Sequence, residues 1–362
     1  MKLKMIRTAA ALLAAVLFFT VDVHAVSARS AILMDGQTGR VLFEKDADSK
    51  SLIASTTKIM TALVVCEQCN VLDRMRIPKE AVGIEGSSMY LKEGEVLTVQ
   101  ELLYGLMLHS GNDAAVALAI YCGGTVEGFV ELMNDKARML GLNGTHFANP
   151  NGLDHPEHYS TARDLAVLAA YAMENPVFAK TASTKTLTVG QRSLKNHNKL
   201  LWMVDGADGV KTGFTKAAGR VLVSSATRDG RRLVAVTIRD PNDWQDHQKL
   251  LEDGFGNYKT RQILSAGQQV GCRSILGGTE ETVPILVVDD FHYPMMAGEE
   301  AQIVLSQPDF AYAPVAAGAE AGFAYVCVGG KSVGKVAVVY GQTVESKPVQ
   351  KKGFWEGLFG GD

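Results

Sequence analysis

Apolar and polar positions change period along the chain, and each change marks an element. Residues 8–21 are continuously apolar behind Lys2, Lys4 and Arg7. Apolar runs at 31–34 and 40–44 flank Asp35-Gly36-Gln37-Thr38-Gly39, which predicts a hairpin. From Ser55 to Val65 apolar residues recur at helical spacing once past Lys58, so Ser55 falls at a helix N-terminus. A loop-rich segment, 70–94, leads to Thr98-Val99-Gln100-Glu101, a capping box that opens a helix over 102–108. His109-Ser110-Gly111-Asn112-Asp113 interrupts the pattern and a helix resumes over 114–120. Another covers 126–140 and stops at Gly141. Residues 143–159, rich in Asn, Gly, Pro and His, read as a long ordered loop. Ser160-Thr161 caps a helix that ends near Asn175-Pro176. From Lys185 the period shifts towards two, which predicts strands at 187–189, 200–204, 210–214, 220–225 and 233–238. A helix over 244–251 closes this part. Beyond Gln268, short apolar strands alternate with glycine-rich turns, as in a small β module without helices.

Length and composition add limits. At 362 residues the chain exceeds one modest core, so a large domain and a smaller one are expected. The net charge of -3 gives no reason to expect nucleic acid as a partner. The apolar run at 8–21, about 14 residues or roughly 21 Å as a helix, is short for a bilayer core. With small residues at Val23-His24-Ala25 and Val26-Ser27-Ala28, it reads as a cleaved signal peptide. The divisions are therefore 1–28 signal peptide, 29–267 main domain, 268–348 β module and 349–362 tail. Five cysteines are too few for a disulfide framework, though an exported chain admits a Cys69–Cys122 bridge.

Chemistry concentrates in three short motifs. A serine hydroxyl needs a base to become a nucleophile. In Ser55-Thr56-Thr57-Lys58 a lysine stands one turn on, and a desolvated lysine amine can be that base. The helix start adds N–H groups where an oxyanion develops. Ser-x-x-Lys recurs at Ser332-Val333-Gly334-Lys335, but in a strand-like run, where residues three apart point to opposite faces. That copy reads as chance. Ser110-Gly111-Asn112 projects a hydroxyl and an amide from a turn between helices. Lys211-Thr212-Gly213 lies on an expected strand, where Gly213 lets a substrate backbone approach. His155-Pro156-Glu157-His158 is set aside as a metal motif, because Pro156 prevents the helix that would align two imidazoles. No metal and no cofactor are expected.

In this order the three motifs resemble those of penicillin-binding proteins and class A β-lactamases. The chain is most similar to the low-molecular-mass penicillin-binding proteins, the serine-type D-alanyl-D-alanine carboxypeptidase family. Ala31-Ile32-Leu33-Met34-Asp35, Leu108-His109-Ser110-Gly111-Asn112-Asp113-Ala114, Gly152-Leu153-Asp154 and Val210-Lys211-Thr212-Gly213-Phe214-Thr215 carry the similarity. It implies an α/β (α+β) fold: an antiparallel sheet flanked by helices, with a helical lobe, followed by an all-β sandwich. It also implies roles. Ser55 would attack the carbonyl between two terminal D-alanines of a peptidoglycan stem peptide, and β-lactams would acylate it. Lys58 would be the base, Ser110 the proton relay and Asn112 a substrate amide contact. Lys211 and Thr212 would hold the terminal carboxylate, and the N–H groups of Ser55 and Phe214 would form the oxyanion hole.

The sequence departs from the family in two places. Phe214 stands where relatives often have His, and His197, in Asn196-His197-Asn198, stands where some have an arginine near the carboxylate site. A class A lactamase would need a loop glutamate. Glu157 lies in the right loop but lacks the Glu-x-x-Leu-Asn context, and the extra β module argues the same way. A peptidoglycan endopeptidase, or a non-catalytic penicillin-binding scaffold or sensor, would carry the same motifs. In the tail, Phe354, Trp355, Leu358 and Phe359 behind Lys351 and Lys352 suit an amphipathic segment at an anionic membrane surface.

Overall fold

The computed structural model describes residues 26–306 and 308–348. Residues 1–25 of the signal-peptide reading and the tail, 349–362, lie outside these residues, whereas Val26 and Ala28, which that reading also included, are buried and their carbonyls accept from Lys45 Nζ. The chain opens on the expected hairpin, β1 (Ser30–Asp35) and β2 (Val41–Lys45). Asp35 fixes the turn: buried, it accepts the N–H of Thr38 through Oδ1 at 3.0 Å and Arg231 Nε through Oδ2 at 2.7 Å. A 3₁₀ turn, Ala54–Thr57, runs into α1 (Lys58–Gln68). The loop that follows holds a short pair, β3 (Arg74–Arg76) and β4 (Val96–Thr98). Thr98 then caps α2 (Val99–Leu108) in the predicted reciprocal box with Glu101. Next come α3 (Asn112–Gly123), whose first eight residues are all buried, and α4 (Val126–Met139).

Thr161 caps α5 (Ala162–Ala172). The helix stops at Ala172, near Asn175-Pro176 as expected, but that dipeptide also starts a helix that was not foreseen, α6 (Pro176–Ser183), with Asn175 Oδ1 accepting the N–H groups of Val177 and Phe178. A proline in the first turn has no N–H to waste, so the same dipeptide that ends one helix can begin the next. After the hairpin β5 (Thr186–Val189) and β6 (Arg192–Lys195), the expected strand at 200–204 is instead a single helical turn, α7 (Leu200–Met203). Asn198 Oδ1 accepts the N–H of Leu200 and starts the turn, which a short apolar run cannot announce.

Strands β7 (Ala207–Thr215), β8 (Gly219–Arg228) and β9 (Arg231–Ile238) complete an antiparallel sheet in the order β2-β1-β9-β8-β7, and α8 (Asp243–Asn257) follows. Along β9 alternate residues serve two cores, as the period of two demands. Val234 and Val236 face the larger core with Leu63 and Leu165, while Leu233 and Ala235 face Leu250 and Leu251 of α8. Sheet order leaves β7 at the edge, where it packs against the Ser55 turn and α6. The functional cleft lies along that edge.

The remaining strands are β10 (Tyr258–Leu264), β11 (Gln269–Leu276), β12 (Thr282–Val287), β13 (Phe291–Met296), β14 (Ala301–Ser306), β15 (Phe310–Tyr312), β16 (Glu320–Val328) and β17 (Lys331–Tyr340). Six form a sheet, β14-β16-β17-β12-β11-β15, and β10 pairs with β13 over a core that includes Val283, Ile285, Val326 and Val338. Because β10 pairs with β13, the β module begins at Tyr258, earlier than the composition shift at Gln268 places it. Arg40 joins the two modules. Its guanidinium lies 5.1 Å from the ring centroids of both Tyr258 and Tyr293 and meets Glu299 at 2.5 Å. The second Ser-x-x-Lys lies on β17 with both Ser332 and Lys335 exposed, the latter 4.2 Å from the Phe323 ring. It forms no site.

Candidate active site

The turn that carries Ser55 is held from three sides. Thr56 Oγ1 donates to the carbonyl of Ile53 at 2.6 Å, and Thr57 Oγ1 to that of Ala54 at 2.8 Å. Thr57 Oγ1 also meets Nε2 of the buried His158 at 2.7 Å. His158 Nδ1 accepts the N–H of Ala148, so the imidazole is neutral with its proton on Nε2, and burial keeps its pKa at about 4. That assigns the His-Pro-Glu-His stretch a structural part, bracing the nucleophile's turn. Ala54, just before Ser55, has φ 47°, a left-handed conformation that non-glycine residues hold only where the surroundings enforce it.

Glycines bring those surroundings close. A Cβ on Gly152 would lie 1.9 Å from the carbonyl oxygen of Ala54. One on Gly213 would lie 3.1 Å from both Ile53 O and Ser55 N. Gly213 was expected to make room for a substrate backbone. Its immediate neighbour is instead the nucleophile's own turn, packed against β7.

Lys58 Nζ lies 3.0 Å from Ser55 Oγ, 2.7 Å from Asn112 Oδ1 and 2.5 Å from the Asn151 carbonyl, with the side chain fully buried. Burial holds its pKa well below lysine's usual range, the charge of Lys211 adds to this, and Asp113 opposes it. Asn112 is itself fixed, donating Nδ2–H to the carbonyl of Glu85 and its backbone N–H to that of Ser87. Ser110 joins α2 to α3 at φ 61° and is 4% exposed. Beside it Asp113, buried, accepts from Ser88 Oγ, Met89 N and Leu91 N, and so pins the preceding loop over the helix junction.

On the opposite wall, buried Lys211 donates to the carbonyl of Thr212 at 2.8 Å, and burial brings its pKa down to about 7. His197 stands at the rim, 5.2 Å from His109 between ring centroids. Partial burial first, then Lys211, lowers its pKa to about 4, so it is neutral at pH 7. The asparagines around it anchor the loop: Asn196 Nδ2 donates to Ala182 O and Thr184 O, and Asn198 Nδ2 to Gly209 O.

Ser55, Ser110, His197, Thr212, Gly213 and Phe214 line one cleft of about 310 Å³. Lys58 and Asn112 are hydrogen-bonded behind Ser55, and Lys211 lies beneath Thr212. All nine residues singled out from the sequence therefore converge. Ser87, Arg220, Asp243 and Trp244 line the same cleft and were not foreseen. Glu157 is exposed, and its backbone bonds to His155 and His146 instead of reaching the cleft lining.

A serine whose hydroxyl meets a buried lysine one turn on, facing Ser-x-Asn and Lys-Thr-Gly across a sheet edge, defines a class: the penicillin-recognising serine enzymes. The sequence profile of the D-alanyl-D-alanine carboxypeptidase family matches residues 18–242, and that of the penicillin-binding protein 5 C-terminal domain matches 258–346. The chain is 32% identical over 311 residues to D-alanyl-D-alanine carboxypeptidase DacF of Bacillus subtilis, covering 82% of this chain and 80% of the relative. To DacD of Salmonella typhimurium it is 36% identical over 332 residues, covering 86% and 85%. The crystal structure of penicillin binding protein 5 from Haemophilus influenzae superimposes with a TM-score of 0.76 at 31% identity, over 89% of this chain and 98% of that one. The chain belongs to the D-alanyl-D-alanine carboxypeptidase family.

Proposed function

We propose that this chain removes the terminal D-alanine from peptidoglycan stem peptides through an acyl-enzyme on Ser55. The observation that carries the reading is the 3.0 Å contact between Ser55 Oγ and a fully buried Lys58. Neutral Lys58 takes the Ser55 proton as Oγ bonds to the carbonyl carbon of the penultimate D-alanine. The N–H groups of Ser55 and Phe214 receive the oxyanion. The C–N bond then breaks, with Ser110 passing a proton to the leaving amine, and water releases the shortened peptide from Ser55. Asn112 orients the substrate amide, while Lys211 and Thr212, from β7, and His197, at the rim, shape the pocket for the terminal alanine. β-Lactams acylate the same hydroxyl. The enzyme works outside the cytoplasm, at a membrane surface that its aromatic and lysine-bearing tail touches peripherally.

Mature protein incubated with a D-Ala-D-Ala pentapeptide should release one D-alanine per peptide, and Ser55→Ala should release none. Truncation before Lys351 should leave that rate unchanged while abolishing co-sedimentation with anionic vesicles. A wild-type protein that is penicilloylated but frees no D-alanine would favour the scaffold or sensor reading.

A further inference from the structure

Arg220 lies at the start of β8, directly across from Phe214 in β7, while Leu222 pairs with Thr212. Paired residues and those two apart share a face of a sheet, so Thr212, Phe214, Leu222 and Arg220 stand together on the α8 side. Leu222 is sealed beneath α8 with Leu250 and Leu251. Arg220, at the strand's end, instead reaches the cleft that holds Ser55 and Thr212.

Its guanidinium is held at one edge only. Nε donates to Asp243 Oδ2 at 3.0 Å, and Nη2 donates to both carboxylate oxygens at 2.8 Å. The plane lies 5.6 Å from the Trp244 ring centroid. Nη1 makes no hydrogen bond among the described residues. The Asp243 side chain is 5% exposed, that of Arg220 42%. The carboxylate is thus a buried clamp, and the free edge of the fork faces water inside the cleft.

Among the lining residues Arg220 is the permanent cation, because a guanidinium does not lose its proton in a protein. His197 is neutral at pH 7, and Lys211 stands at about 7 beneath the floor. A cleft that takes a peptide ending in a carboxylate needs a donor that is both charged and exposed, and planar forks suit that group.

We propose that Arg220 recognises the free α-carboxylate of the substrate's last residue through Nη1, with Asp243 and Trp244 as positioning residues that fix its plane. The proposal rests on the carboxypeptidase reading for its substrate but is tested without turnover. In the Ser55→Ala background, titrate a peptide ending in D-Ala-D-Ala and its C-terminal amide by calorimetry. Repeat with Arg220→Ala, and with Arg220→Ala plus Asp243→Asn so that no buried carboxylate is left unpaired. The parent should prefer the acid by about 10- to 100-fold, as expected for a charged hydrogen bond. Both variants should bring acid and amide to within about threefold while binding the amide as the parent does. An unchanged acid-to-amide ratio, or equal weakening of both peptides, would overturn the assignment and leave Arg220 a structural ion pair. If wild-type protein fails to release D-alanine while the Arg220-dependent acid preference persists, the carboxypeptidase reading falls and this one stands.

Discussion

At Lys58, three hydrogen bonds and full burial act against each other. The bonds to Ser55, Asn112 and Asn151 suit an ammonium, yet desolvation is the larger effect and favours the neutral amine. The sign of the pH dependence follows. Below the depressed pKa the amine is protonated and cannot accept the Ser55 proton. Acylation should therefore rise with pH through a value well below lysine's usual ~10.4. Lys58→Arg, which cannot lose its proton, should acylate about 10²- to 10⁴-fold more slowly. Stopped-flow acylation from pH 5 to 10 checks both, and a pH-independent rate in the wild type would show that another group is the base. At this scale most of the site was legible, because a nucleophile and its base must sit one turn apart and the motifs name their own residues. Ser87 and Arg220 were not. They reach the cleft by folding of a loop and by strand register, and no local spacing encodes either.

Among the elements, the helix starts were readable where capping chemistry was unambiguous, as at Thr98 and Thr161. The start of α6 at Pro176 and the single turn of α7 were lost because proline and a short apolar run each have two structural meanings. Two helices also meet at their ends. Cys69 closes α1 and Cys122 lies in the last turn of α3. Both are free thiols, and the influence of each on the other lowers the Cys69 pKa and raises that of Cys122. Cys66, one turn back, is pushed up to about 12 by burial. A thiol–disulfide oxidant outside the cytoplasm can therefore start at Cys69, form a mixed disulfide, and be displaced by Cys122. The bridge would join α1, which carries Lys58, to α3, which carries Asn112, and should add about 2–4 kcal/mol to stability. Non-reducing peptide mapping of protein from its native compartment should find Cys69 linked to Cys122. Complete alkylation of both without reductant would contradict this.

For the whole molecule, the sheet separates two cores and leaves one edge strand to meet the helical lobe, and the cleft is that seam. Two buried neutral histidines help hold it together: His158 under the Ser55 turn, and His247, which ties α8 to the sheet through Ser224 and Thr237. Burial lowers their pKa values to about 4 and about 3. The unfolded chain, near 6.5, takes up protons first as pH falls. Stability should thus decline from about pH 6.5 downward, by roughly 1.4 kcal/mol per pH unit per histidine. Urea titrations between pH 6.5 and 4.5 should show that slope, shallower in His247→Gln. Equal slopes would remove His247 from the account. The division into a mixed domain and a β module was visible as a change of period, whereas the early start at Tyr258 was not, since β10 finds its partner only in space.

The central claim is that Ser55, deprotonated by Lys58, is the group that becomes acylated. Mass spectrometry of the protein after brief exposure to benzylpenicillin tests it most directly. One drug mass should appear, confined to the peptide containing Ser55, and it should be absent from Ser55→Ala. A penicilloyl group on any other residue, or an unchanged adduct in the Ser55→Ala protein, would contradict the account.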